Sequence, residues 1–320
     1  MTNRYMLAQL PTPLEPLPRL SAFLGGPPLY IKRDDQTGLA FGGNKTRKLE
    51  FLIADALAQK ADVLLTAGAA QSNHCRQTAA AAVRAGLKCE LVLGGSAPGS
   101  PNGNLLLDQL LGAEIHWTER ERRAERMEEL AEEIRKKGKR PYVIPIGGSN
   151  GVGAQGYVLA MQELVAQINS TGIHPDTIVV ASSSGGTQAG MVLGAKLYGY
   201  EGKILGISID KGDRGPERYE VELADIANAT AEVMEVDVRV TPEDFFIDYG
   251  YLGDGYGIVG FTEREAITLM ARHEGIFLDP VYTGRAFGAI VKNAKAGMYG
   301  STLFWHTGGG AALFAYGKDL

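Results

Sequence analysis

Short apolar runs alternate with segments of helical periodicity along most of this chain. Leu29–Lys32, Val63–Thr66, Cys89–Leu93, Tyr142–Ile144, Thr177–Ala181, Ile204–Ile209 and Leu303–His306 are each aliphatic or β-branched. Several run into a glycine or a helix-start residue, which predicts buried strands. Two helical segments stand out between them. Thr78–Ala85 is alanine-rich, as suits a helix packed closely on a sheet. Glu119–Lys137 is highly charged, yet Met127, Leu130, Ala131 and Ile134 recur at helical spacing and make one apolar stripe. Glu132 with Lys136, and Glu133 with Lys137, stand four apart in the favourable order, so the charge run reads as a solvated helix face. The alternation predicts an α/β fold with parallel sheets. The glycine-rich stretch Gly147–Gly156 reads as a hinge between two α/β lobes. Open sheets bind ligands beyond the carboxyl ends of their strands, so chemistry is expected in the loops that follow strands.

Composition narrows the partners. A chain of 320 residues suits two domains sharing one cleft, and 45% hydrophobic content with 42 glycines supplies a core and many tight turns. A net charge of −5 argues against nucleic acid or an anionic membrane as partner. No apolar run reaches the length of a membrane span. The opening MTNRYMLAQLPTPLEPL lacks the apolar segment of a secretory signal, which predicts a cytoplasmic protein. Cys75 and Cys89 lie at neither disulfide-framework nor zinc spacing and read as buried thiols. The five histidines show no paired ligand spacing, so no metal is predicted, although histidines and carboxylates can still converge in three dimensions.

Four loops carry candidate chemistry. In Phe41–Glu50, FGGNKTRKLE, Lys45 follows two glycines and an asparagine at a predicted helix start. Gly42 and Gly43 let its backbone reach the bottom of a cleft, and a sequestered lysine favours the neutral amine that forms a Schiff base with an aldehyde. The alternative is a surface turn before a basic helix. In Thr66–Arg76, TAGAAQSNHCR, Ser72, Asn73 and His74 fall at a helix N-terminus, which seats a carboxylate or is simply capped by Ser72 or Asn73. In Ala181–Gly190, ASSSGGTQAG, Gly185, Gly186 and Thr187 can wrap N–H groups and a hydroxyl around a phosphate. This loop is neither a Walker A sequence nor GxGxxG. Finally, Leu278–Gly284 (LDPVYTG) contains Tyr282, a candidate acid or base, and Phe304–Gly310 (FWHTGGG) ends a strand in glycines, as though backbone approaches something flat. A Schiff-base lysine, a carboxylate seat and a phosphate cup are the parts needed to hold pyridoxal 5′-phosphate and an amino acid.

GGNK, QSN, SSSGGT, DPVYTG and HTGG, in this order and spacing, resemble the fold-type II pyridoxal-phosphate enzymes, in the branch of D-cysteine desulfhydrase and 1-aminocyclopropane-1-carboxylate (ACC) deaminase. The likeness runs from LPTPLEPL and YIKRDD to the terminal ALFAYG. It implies two open, twisted parallel-sheet α/β domains of the tryptophan synthase β kind, with the cofactor in the cleft between them. Residues 1–47 and 156–320 would form the larger, cofactor-binding domain and 48–155 the smaller, substrate-side domain. Carried over by resemblance, Lys45 would form the Schiff base and later move the α-proton. Asn73 would bond the cofactor's 3′-oxygen. Ser72, with the backbone of Asn73 and His74, would bind the substrate carboxylate. Ser184, Gly185, Gly186 and Thr187 would hold the phosphate, although Ser183 stands where the family usually has glycine. Tyr256 and Tyr282 would line the substrate pocket, and Thr283, Thr307 and Gly308 would face the ring. Lys32, in YIKRDD, lies in a predicted strand without a glycine lead-in and is rejected as the Schiff-base lysine.

ACC deaminases carry a glutamate after the DPVY tyrosine and a leucine before the late glycine pair, where this chain has Thr283 and Thr307. A carboxylate keeps the pyridine nitrogen protonated for the demanding cyclopropane opening, whereas a hydroxyl suffices when a good leaving group departs from the β-carbon. The resemblance therefore implies β-elimination, with D-cysteine giving pyruvate, hydrogen sulfide and ammonia. L-Cysteate sulfo-lyase, ACC deaminase and a non-catalytic ligand-binding homologue are the alternatives. For an anionic sulfonate His74 and Arg76 are suspects, with Arg76 read as facing solvent or capping a helix. The expected partner is a small amino acid, and the resemblance implies a homodimer.

Overall fold

The computed structural model describes residues 3–211, 216–295 and 300–320. Ten strands, β1 (Leu14–Pro16), β2 (Leu29–Arg33), β3 (Val63–Ala69), β4 (Lys88–Gly94), β5 (Glu114–Thr118), β6 (Pro141–Val143), β7 (Thr177–Ser182), β8 (Lys203–Ser208), β9 (Phe246–Asp248) and β10 (Thr302–His306), are found among the described residues. They form a six-stranded sheet in the order β1-β2-β10-β7-β8-β9 and a four-stranded sheet in the order β5-β4-β3-β6. Every pairing is parallel except that of β1, which runs antiparallel to β2 at the edge.

Helices cover both faces of each sheet, as parallel strands require. On the large sheet, α6 (Gly151–Thr171), α7 (Gly186–Tyr198) and α8 (Pro216–Val233) pack over Ile178, Val180, Ile204, Leu303 and Trp305. The opposite face, with Val179, Leu205, Ile207 and Phe304, lies under α1 (Pro18–Leu24), α9 (Phe261–Glu274) and α10 (Thr283–Lys295). On the small sheet, α2 (Lys45–Ala58) and α3 (Asn73–Ala85) cover Leu64, Leu91 and Leu93, with α4 (Gly103–Leu110) alongside. The stripe of α5 (Arg123–Lys136) covers Val63, Leu65, Ala67 and Val92, and Met127, Leu130, Ala131 and Ile134 are all buried there. The charged side of α5 pairs differently from the expected four-residue spacing: Glu133 meets Arg126 and Glu132 meets Arg135. Arginine's longer fork reaches these carboxylates from neighbouring turns.

Helix α2 shows why this chain holds Lys45 in place. Leu49, Leu52, Ile53 and Ala56 follow the i, i+3, i+4, i+7 pattern and are fully buried, each large side chain stabilising the fold by roughly 1.5–3 kcal/mol. Opposite them Arg47 enters a buried ionic cluster. It bonds Asp34 through two nitrogens at 2.9 Å and also reaches Glu163 of α6. Tyr157 and Trp305 donate to the same Asp34 carboxylate at 2.6 and 2.9 Å. Burial pushes this carboxyl up, but Arg47, Lys32 and the Tyr157 hydroxyl together hold it at about 2. Lys32 is fully buried here, donating to Thr12, Glu163 and Gln167. Glycines bring the helices close: a Cβ on Gly156 would stand 2.3 Å from the Arg47 carbonyl, and one on Gly190 2.4 Å from that of Ala154. The glycine-rich stretch is thus largely the first turns of α6, where Gly156 admits α2, while Gly190 of α7 lets that helix close on α6.

Candidate active site

A cavity of about 760 Å3 opens where the carboxyl ends of β3, β7 and β10 face one another. Lys45, Ser72, Asn73, His74, Ser184, Gly185, Thr187, Tyr256, Tyr282 and Thr307 all line it, although they come from segments more than 200 residues apart. Lys32 is absent from this wall.

Lys45 reaches the wall through the two glycines before it. Gly42 and Gly43 take φ of 65° and 125°, and added Cβ atoms would stand 2.0 Å from the Asp35 carbonyl and 2.6 Å from the Gln77 side chain. The turn is held from both sides: Asn44 N–H donates to the Thr307 carbonyl at 2.9 Å and Thr46 N–H to Gln77 Oε1 at 2.8 Å. Lys45 Nζ has no hydrogen-bond partner among the described residues, and burial lowers its pKa to about 8. One turn on, Lys48 was not foreseen as a site residue. Its Nζ donates to Gly147 O and Ser149 Oγ at 3.1 Å, and burial together with Lys45 pushes its pKa well below the ordinary value.

Ser72 caps α3, its Oγ accepting from Cys75 N–H at 3.2 Å. Asn73 and His74 occupy the first helical positions, whose N–H groups have no acceptor within the helix and stand at the positive end of its dipole. The capping role and the anion seat are therefore compatible. Thr66 donates its hydroxyl proton to Ile144 O, so it accepts from His74 Nε2–H at 3.0 Å. His74 Nδ1 is left as a buried acceptor without a partner. Burial and the two lysines push this imidazole well below its usual pKa, so it is neutral.

At the start of α7, Gly185 adopts φ 84°. Gly186 stands just behind the wall: its N–H donates to Ser149 Oγ at 3.1 Å, and a Cβ there would meet Ser149 at 2.8 Å and Lys48 Nζ at 2.9 Å. Ser149 Oγ donates in turn to Ser184 Oγ at 2.9 Å. Thr187 Oγ1 accepts from Asn44 Nδ2 at 3.0 Å, which leaves its own proton free for the cavity. Ser183 is on the wall, in the position where the sequence pattern departs from the usual glycine.

On the far side the hydroxyls of Tyr256 and Tyr282 lie 2.5 Å apart. Burial raises Tyr256 to about 12 and, with Tyr256 beside it, Tyr282 well above its usual pKa. Both are protonated at neutral pH, so Tyr282 is equipped as an acid and not as a base. The Arg120 guanidinium lies 5.2 Å from the centre of the Tyr256 ring, and Arg120 and Arg123 both reach the cavity.

Three expectations need correction. Arg76 neither faces solvent nor touches the cavity: it is fully buried, donating to Asn73, Asn104 and Gly42. Arg120 and Arg123 reach the cavity instead, as does Lys211, and the sequence could not place the two arginines because their segment gains its position only from the small sheet. Thr283 is also off the wall. It is fully buried at the start of α10, donating to the Asp279 carboxylate and accepting from Asp279 N–H, both at 2.7 Å. Gly308 backs the Lys45 turn, a Cβ there standing 2.6 Å from Gly43 Cα, so of the expected ring-facing residues Thr307 alone is on the wall. Away from the cavity, His116 meets Glu90 of the adjacent strand at 3.1 Å and Glu114 of its own strand at 3.8 Å, a convergence hidden by sequence spacing.

Comparison with known proteins agrees with this geometry. Residues 5–308 match the family model described as pyridoxal-phosphate dependent enzyme. The chain is 42% identical to D-cysteine desulfhydrase of Klebsiella pneumoniae (strain 342), with 99% of this chain and 97% of the relative covered. It is 41% identical to a putative 1-aminocyclopropane-1-carboxylate deaminase of Pyrococcus abyssi (strain GE5 / Orsay), covering 99% and 94%. The crystal structure of an ACC deaminase homologue superposes with a TM-score of 0.89 at 40% identity, covering 99% of this chain and 95% of that one.

Proposed function

Because the chain belongs to the family of pyridoxal-phosphate-dependent enzymes, we propose that it is a carbon–sulfur lyase converting D-cysteine to pyruvate, hydrogen sulfide and ammonia. One observation carries the choice of substrate. The end of β10 offers the Thr307 hydroxyl to the cavity, while the nearby Asp279 carboxylate is spent on the N–H groups of Val281, Tyr282 and Thr283 and on the Thr283 hydroxyl. The carboxylates that do line the cavity, Glu121, Asp210, Glu222 and Asp225, come from α8 and from loops after β5 and β8. A hydroxyl at this end suits loss of a good leaving group better than cyclopropane opening.

The residues present fit the cofactor. Lys45 offers an unpartnered amine, Thr187 a free hydroxyl proton, and Gly185 and Thr187 bring the start of α7 to the wall, with Lys48 close behind Gly186. Pyridoxal 5′-phosphate, when bound, supplies an aldehyde for Lys45 and a conjugated ring that takes up the electron pair left by the substrate's α-proton. Lys45, with its pKa brought down to about 8, is the base that moves that proton. Ser72 and the N–H groups of Asn73 and His74 seat the substrate carboxylate. Tyr282, held protonated and backed by Tyr256, donates a proton to the departing sulfur. In this reading residues 1–47 and 156–320 form the cofactor-binding body, 48–155 the substrate-side body, and the working unit is a cytoplasmic homodimer.

Two other substrates have support of their own. Arg120 and Arg123 on the wall favour an anionic β-substituent such as the sulfonate of L-cysteate. The deaminase names of two relatives favour ACC. A product-release panel decides: D-cysteine, L-cysteine, L-cysteate, D-serine and β-chloro-D-alanine scored by pyruvate, and ACC by 2-oxobutyrate. D-Cysteine should give the highest kcat/KM, and dominant turnover of L-cysteate or ACC would replace this assignment.

A further inference from the structure

The buried guanidinium of Arg76 lies one helical turn behind Asn73, off the cavity wall. Its Nη1 donates to Asn73 Oδ1 at 3.1 Å and to Asn104 Oδ1 at 2.6 Å, and its Nη2 donates to Gly42 O at 2.7 Å. Asn104 Nδ2 donates to the same Asn73 Oδ1 at 2.8 Å. Asn104 is itself pinned, its N–H and Nδ2 bonding Gln71 Oε1 and Gln71 O at 2.8 and 2.9 Å. Two donors thus converge on one face of the Asn73 carboxamide. An oxygen accepts from them and a nitrogen cannot, so the orientation of the amide is determined by its partners. Asn73 Nδ2 is left without a partner among the described residues, Asn73 lines the cavity, and the Gly309 backbone passes so close that a Cβ there would lie 2.8 Å from Nδ2.

We propose that Arg76, assisted by Asn104, is a positioning residue that locks the Asn73 carboxamide nitrogen toward the cavity as a donor to the cofactor's phenolic oxygen. The inference rests on the cofactor reading above and concerns how one of its contacts is held in place. Without the two donors, a half-turn about the last side-chain bond would present Oδ1, an acceptor, to an oxygen that carries negative charge. Arg76 also donates to Gly42 O, but the turn that delivers Lys45 is held independently by Asn44 on Thr307 and Thr46 on Gln77, so the effect of Arg76 on cofactor affinity runs through Asn73. Asp108, one turn beyond Asn104 on α4, is buried with both carboxylate oxygens unpartnered, and burial raises its pKa to about 8. At neutral pH it is largely uncharged, and the Arg76 charge is left to polarise the Asn73 amide.

The test is a double-mutant cycle on cofactor affinity. Apoenzyme of the wild type, Asn73→Ala, Arg76→Met and the double variant is titrated with pyridoxal 5′-phosphate and followed by visible absorbance. Loss of a charge-assisted hydrogen bond predicts a Kd about ten-fold higher for each single variant. Because Arg76 acts through Asn73, the double variant should lie within about two-fold of the weaker single one. A wild-type Kd for Arg76→Met, or a double variant at about the hundred-fold product of the singles, overturns the proposal. Should Arg76→Met fail to fold, Asn104→Ala removes the other donor, and its affinity loss must vanish in the Asn73→Ala background. An Asn73→Ala protein that binds the cofactor normally sinks the phenolic-oxygen reading and the role of Arg76 with it, whereas additivity removes the role of Arg76 alone.

Discussion

At neutral pH the cofactor-free protein should react with an aldehyde at Lys45 far faster than at a surface lysine. An ordinary lysine near 10.5 is about 0.03% free amine at pH 7, whereas one at about 8 is roughly 9% free, a gain of about 300-fold. A less basic amine is a somewhat weaker nucleophile, so this ratio is a ceiling. The perturbation is pH, scanned from 6 to 11, with pyridoxal lacking its phosphate as the probe and borohydride to trap the adduct. Peptide masses report the site of labelling. Lys45 should dominate, with half-maximal labelling near pH 8. Lys48 shares the depressed pKa but is almost fully buried, and its Nζ is committed to Gly147 and Ser149, so access separates the two. The shift also has a sign for stability. The charged form is disfavoured only in the folded chain, so Lys45 costs stability below about pH 8, and that cost is relieved as pH rises from about 8 toward 10.5. Labelling of Lys45 with a midpoint above pH 10, or labelling led by Lys48, would refute the burial argument.

Two further outcomes follow from the buried groups. Asp34→Ala should destabilise the fold by roughly 3–5 kcal/mol in denaturant titration, because Arg47 would be left buried with only Glu163. In the intact protein the Asp34 carboxyl is depressed to about 2, so its contribution is present above its unfolded value of 3.8 and is lost as pH falls toward 2. Tyr282→Phe should bind the cofactor normally but lose on the order of 10²–10⁴-fold in kcat, measured as pyruvate release. Retained kcat would show that the leaving group takes its proton elsewhere.

Most of the strands legible in the sequence share a physical property. β2, β3, β4, β7, β8 and β10 are covered on both faces and therefore read as largely apolar runs, while β6, an edge strand with only Tyr142 buried, was legible because the apolar run continues to the buried Ile144. The three that escaped notice, β1, β5 and β9, all lie at sheet edges. β1 contains a proline, β5 reads EIHWT, and β9 reads FID, with no buried residue in any of them. An edge strand needs no continuous apolar run, so its sequence carries little periodic signal. The start of α3 was legible from its capping residues, since Ser72 is the N-cap and the helix begins at Asn73. Asn73, His74 and Arg76 break the apolar pattern because they are buried against polar partners, whereas Cys75 between them joins the hydrophobic core.

What the sequence by itself determined was local. Glycines before Lys45 imposed a backbone that no other residue adopts there, aliphatic runs imposed buried strands, and helix-start residues placed N–H groups at the ends of β3 and β7. The tertiary structure decided which polar side chains face the cavity. Arg76 and Thr283 are turned inward by Asn104 and Asp279, while Arg120 and Arg123 are carried to the wall from the end of β5. The reason is that burial of a polar group is favourable only where partners converge, and those partners lie tens to hundreds of residues away in the chain.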